Sequence, residues 1–163
     1  MSIWNKYPHF DEDELRMLVA LTAQVLLESN AADPEFPPDI LEISPLAASR
    51  QLLPLLQATD ASIDRYQIQH LLEDEHLSTQ LSLKVLGEVR NYPELANRID
   101  EAYVTSAKKM ATPELLLLTG ALVVLATRIK EIRWASKEKK ITFYETAVTV
   151  KDFLVNLIKG AGG

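Results

Sequence analysis

Apolar residues run almost all the way round the segment from Leu15 to Leu27, through Leu15, Met17, Leu18, Val19, Leu21, Val25, Leu26 and Leu27. A stretch that is apolar on every side reads as a buried helix, and this one is expected to be the spine of the core. Asp11 and Glu14 have capping-box spacing, and Glu12, Asp13 and Glu14 suit the positive end of a helix dipole, so the helix should start here. Ahead of it, residues 1–10 set Trp4, Tyr7 and Phe10 around Pro8. They are expected to form an irregular N-terminal arm, partly buried against the body.

Residues 31–44 form a Pro-rich loop in this reading, because Pro34, Pro37 and Pro38 each remove a donor and restrict the residue before them. Ser44 and Pro45 then open a helix to Gln57, which Pro54 is expected to kink or split. Beyond Asp60, Ile63, Tyr66, Ile68, Leu71 and Leu72 precede Leu77, Leu81, Val85 and Val89, which fall at steps of four. That pattern predicts two helices with a break near His76-Leu77-Ser78. Tyr92-Pro93 starts another, with Leu95, Ile99, Ala102, Tyr103, Ser106 and Met110 on one face.

Thr112-Pro113-Glu114 repeats that start signal and leads into Leu115–Thr127, which is uncharged for 13 residues. Such a helix spans about 20 Å at about 1.5 Å per residue, against a hydrocarbon core of about 30 Å, too short to cross a bilayer comfortably. It reads as a buried core helix, with an oligomer interface and a membrane-surface contact as alternatives. Past Arg128 the pattern divides. Leu122, Leu125, Ile129 and Ile132 continue a helical stripe, whereas residues 131–136 can instead pair with Ile141–Glu145 across Lys137-Glu138-Lys139-Lys140. The β-branched and aromatic content of 141–144 favours the hairpin. Ile132, Trp134, Ile141 and Phe143 would then share an apolar face that must pack on helices or on a partner.

A last helix is expected over Val148–Ile158, ending at Lys159-Gly160, with 160–163 a frayed tail. No internal repeat is present. The predicted fold is therefore mainly α, a single-domain bundle of about six to seven helices with one small β-hairpin near residues 131–145.

Size supports this picture, since a 163-residue chain can bury roughly 70% of its unfolded surface in one core without staples. The chain has no cysteine, which excludes thiol nucleophiles, disulfides and thiolate metal sites. Met1–Lys6 lacks the basic and apolar pattern of a secretory signal, and the expected location is cytoplasmic. The net charge of -6 makes nucleic acid an unfavourable partner. It is also uneven: residues 1–103 hold 18 acids and 7 bases, net -11, and residues 104–163 hold 5 acids and 10 bases, net +5. The unevenness reads either as two solvated faces or as head-to-tail or acidic-partner association, since opposed fields speed and orient encounter.

Candidate chemistry is sparse. Glu73 and His76 have the Glu-x-x-His spacing of helix-bundle carboxylate metal sites, and His70 stands four residues before Asp74, but no second Glu-x-x-His follows to complete a site. Gly120 is isolated within an apolar run, so the chain has no dinucleotide fingerprint, phosphate loop or nucleophile elbow. Asp100-Glu101 point to different faces of a helix and cannot flank a bond as a glycosidase pair. No cofactor or small-molecule substrate is indicated.

What remains distinctive is the basic, aromatic segment 128–144. Its candidate interface residues are Arg128, Lys130, Arg133, Trp134, Lys137, Lys139, Lys140, Phe143 and Tyr144, and Glu131 and Glu138 dilute its charge. The expected function is a non-enzymatic protein–protein interaction module, a helical adaptor, assembly subunit or homo-oligomer. The alternatives are a membrane-surface protein using 115–127 and 128–144, and an enzyme or metal protein built around His70, Glu73 and His76.

Overall fold

The computed structural model describes residues 2–30, 36–106, 115–133 and 140–162. Among these the chain is mainly α-helical, with seven α-helices and one two-stranded antiparallel sheet. The arm begins with a 3-10 turn over Ile3–Lys6, capped where the Ser2 hydroxyl accepts from the Trp4 amide at 3.2 Å. Helix α1 runs Glu12–Glu28 and starts at the expected capping box: Asp11 accepts from the Glu14 amide at 2.8 Å, and Glu14 accepts from the Asp11 amide at 2.9 Å.

Residues 31–35 of the expected proline-rich loop lie outside the described residues, and 36–44 are not irregular throughout. A second 3-10 helix spans Pro38–Glu42, and Phe36 and Ile40 are buried in the core. Helix α2 covers Pro45–Gln57 without a break, correcting the split expected at Pro54. Pro54 lies in the last turn, so its missing N–H removes only the bond to the carbonyl of Arg50, an exposed residue that water can serve.

Helix α3 is Arg65–Glu73 and α4 is Glu75–Val89, which moves the expected break from 76–78 to Asp74. The Asp74 amide closes α3 onto the His70 carbonyl at 3.0 Å, while its carboxylate accepts from the Leu77 amide at 2.9 Å, so one residue ends a helix and caps the next. Asp64 and Gln67 form a second capping box, at 2.9 Å in both directions. Tyr66 is exposed rather than part of the apolar face.

Helix α5 is Pro93–Ser106 and α6 is Leu115–Arg128. Strands β1, Glu131–Arg133, and β2, Lys140–Thr142, pair antiparallel with Ile132 opposite Ile141. The hairpin is thus present, its second strand ending at Thr142 rather than Glu145, while residues 134–136 of the expected first strand lie outside the described residues. Tyr144 and Glu145 belong to α7, Tyr144–Gly162, which starts four residues before the expected helix. Gly160 does not stop it: no described glycine has a positive φ, so the residue continues the helix instead of reversing it.

The spine of the core is α6 rather than α1. It packs against α1, α2, α3, α4, α7 and the second 3-10 helix, and every described side chain from Leu118 to Thr127 is buried. The run Leu118–Thr127 is therefore core, the side chains of Leu115–Leu117 lying outside those described, and no helix among the described residues is long and apolar enough to cross a membrane. Gly120 lets α2 come close, since a Cβ there would lie 3.3 Å from that of Ala48.

Two distant ties close the bundle. The Tyr7 hydroxyl reaches into α4 and donates to the Leu83 carbonyl at 2.9 Å, with its ring over Gly87. At the other end, Lys159 of α7 pairs with Asp60, between α2 and α3, at 2.6 Å, and Asp60 also accepts from the Ser62 amide and hydroxyl. The Lys159 ammonium first, and Ser62 second, hold the Asp60 carboxyl far below the usual carboxylate range. A carboxyl depressed on folding stabilises the protein above its unfolded value, near pH 4, and that contribution is lost as pH falls towards its folded value. Asp60→Asn is therefore expected to lower the thermal midpoint at pH 7, and the gap from the parent chain should narrow as melting is followed down from about pH 4. A gap independent of pH would remove the tie from the account.

Candidate functional site

The basic, aromatic segment is the first place to look. Arg128, at the end of α6, is half-buried and donates to the side-chain carbonyl of Gln51 in α2. Lys130 is exposed, and its backbone carbonyl accepts from the Phe143 amide at 2.8 Å, closing the base of the hairpin. Arg133 and Lys140 face each other in the ladder, but their side chains are not among those described. Trp134, Lys137 and Lys139 lie outside the described residues.

Phe143 has to be withdrawn from the candidate surface. It is fully buried, because the chain turns inward between β2 and α7 and sets its ring 5.4 Å from that of Tyr92. The Tyr92 hydroxyl in turn bonds the Thr146 hydroxyl at 2.7 Å, fixing the start of α7 against the start of α5. Tyr144, one residue on, is 56% exposed. Of the candidate residues, Tyr144 and Lys130 are thus exposed and Arg128 is partly covered, with Glu131 and Thr142 exposed beside them.

The histidine cluster does not assemble. His70 and Glu73 are on α3, His76 is in the first turn of α4, and the two helices change course at Asp74. Glu73 accepts from the Gln69 amide group at 2.7 Å, and His76 pairs with Gln80 at 2.9 Å. Asp74 is committed to capping α4. Among the described residues no three His, Asp or Glu side chains come together as a metal-binding group.

A second site was not foreseen. The N-terminal turn lies across α5, where the Ile3 amide donates to Asp100 at 2.9 Å and the Trp4 indole N–H to the Ala96 carbonyl at 2.9 Å. Beside these bonds is an open cleft of about 330 Å³, walled by Ser2, Ile3, Asn5, Lys6, Asp100, Tyr103 and Val104. Val104 is 71% exposed, and Tyr103 is half-buried. Lys6 pairs with Glu14 at 2.5 Å, and the Glu14 carboxylate, through that hydrogen bond and its charge, raises the pKa of the Lys6 ammonium. Burial raises that of the Tyr103 phenol, and Glu14 and Asp11 push it further the same way.

Comparison with protein-family models, with curated proteins and with solved structures finds no match to this chain. What the cleft can do follows from its own groups. Its two charged wall residues are engaged, Lys6 by Glu14 and Asp100 by the Ile3 amide, and they leave an apolar floor with a charged margin. That arrangement has room and apolar surface to hold a side chain. One signal for it was in the sequence: Val104 is apolar yet falls off the Leu95–Ile99–Ala102–Tyr103 face.

Proposed function

We propose that the chain is a non-enzymatic protein–protein interaction module, a helical adaptor or subunit of a larger assembly. The observation that carries this reading is the exposed pair Tyr144 and Lys130, at the base of a two-stranded ribbon to which no third strand is added among the described residues. A ribbon of this kind presents unpaired backbone at its outer edges, and tyrosine is among the residues that interfaces favour. The net +5 of residues 104–163 gives an acidic partner surface a field to follow. The membrane-surface alternative shares the basic segment but draws no support from α6, whose described side chains are buried in the core except for the half-buried Arg128.

The test compares proteins retained by the parent chain, from an extract of its source, with those retained by a Tyr144→Ser, Lys130→Glu double variant. Both positions are exposed, so the variant should keep its helical circular dichroism and lose at least one stoichiometric partner. An unchanged set of partners, or none for either chain at any salt concentration, would overturn the reading.

A further inference from the structure

We infer that the cleft beside the N-terminal turn receives the basic hairpin loop of a second copy, so that the chain associates head to tail. This deepens the interaction-module reading and rests on it. The first support is the cleft itself, an opening of about 330 Å³ with Ile3, Tyr103 and Val104 as its apolar wall and Val104 left 71% exposed at the rim.

The second support is charge. Asp11 and Glu14 act on both Lys6 and Tyr103, Glu12 and Asp13 share the first turn of α1 with Glu14, and Asp100 and Glu101 stand on the α5 side. Lys6, Arg16 and Arg98 are the cations among these described neighbours, and counting Lys108 and Lys109, which follow α5 in the sequence, five cations stand against six acids. The margin remains net acidic. The segment from Lys130 to Lys140 is its complement, with Lys130, Arg133, Lys137, Lys139 and Lys140 against Glu131 and Glu138. It also carries Trp134, a single large aromatic of the kind that anchors an interface when flanked by cations.

The third support is placement. The base of the hairpin is fixed near the start of α5, by Phe143 on Tyr92, whereas the cleft lies around Asp100–Val104. At about 1.5 Å per residue, the twelve positions from Tyr92 to Val104 separate the two by about 18 Å along the helix. One copy therefore presents donor and acceptor surfaces at different places. Such an interface is heterologous, and repetition gives a ring or an open chain of copies.

Sedimentation velocity on the full chain tests this. The parent chain should associate in a concentration-dependent way at low ionic strength and dissociate at about 1 M salt, where the screening length is about 3 Å. Val104→Glu in the cleft, and Trp134→Ala with Lys137→Glu and Lys139→Glu in the hairpin, should each weaken self-association by roughly 30-fold or more. Mixed together, the two variants should form a one-to-one dimer and nothing larger, because one supplies an intact hairpin and the other an intact cleft. Val104→Ser, checked by helical circular dichroism, replaces Val104→Glu if that chain misfolds. A parent chain monomeric at every salt concentration, or a variant mixture that stays monomeric, overturns the proposal. A partner from the extract that still depends on Tyr144 and Lys130 would show that the interaction-module reading stands without it.

Discussion

Trp4→Ala is expected to cost about 3–5 kcal/mol of folding stability, the range for deleting a buried indole. In a chain of this length that lowers the thermal midpoint by roughly 6–20 °C. Two separable effects contribute. The ring is buried against α5 with Phe10 edge-on at 6.5 Å, so its removal leaves a void between the arm and the bundle. The indole N–H also donates to the Ala96 carbonyl, which as a mid-helix group keeps its bond within α5, so losing the indole costs only the net value of one hydrogen bond, about 0.5–1.5 kcal/mol. Trp4→Phe keeps most of the bulk and removes only the donor, so its loss should fall in that smaller range. Urea titrations followed by circular dichroism distinguish them, and equal losses for the two variants would show that packing of the ring contributes nothing.

Gly87→Ala should destabilise by about 1–3 kcal/mol, the range for overpacking, although alanine in a helix interior is ordinarily favoured by about 0.5–1 kcal/mol. The reversal comes from Tyr7. A Cβ at position 87 would overlap the Tyr7 hydroxyl and sit 2.9 Å from its Cζ. The ring has little room to yield. Its hydroxyl is bonded to the Leu83 carbonyl, Arg90 lies 4.3 Å over its face, and Phe10 meets it edge-on at 6.0 Å. In a Tyr7→Ala background the obstacle is gone, and Gly87→Ala should become stabilising by about 0.5–1 kcal/mol. A thermodynamic cycle over the four chains reads that change of sign, and the same sign in both backgrounds would refute the contact.

The parts of the fold legible in the sequence were those set by neighbours within a turn or two. Asp11 and Glu14 announced the start of α1 because both partners of the capping box are local. The hairpin was legible from alternation and β-branching, but its length was not. Phe143 continues the alternating pattern, yet burial against Tyr92, 51 positions earlier, takes it out of the ribbon. Pro54 misled for the converse reason, since the rule that proline ends a helix takes no account of how near the end already is. The choice between α1 and α6 as spine depended on which helix others surround, a property of packing and not of either stretch. The cleft was hidden most completely, because it exists only where Ile3 and Asp100 meet.

That meeting has a consequence for how the chain is made. Ile3 and Trp4 bond to residues 97 and 92 positions further along. At about 5–20 residues per second, a ribosome takes on the order of 5–20 s to supply α5 after the turn has been synthesised. Through that interval the Trp4 indole lacks the Ala96 carbonyl, and the arm stays undocked. Docking of the arm must therefore wait until α5 has been made, and until then Trp4 is open to a chaperone.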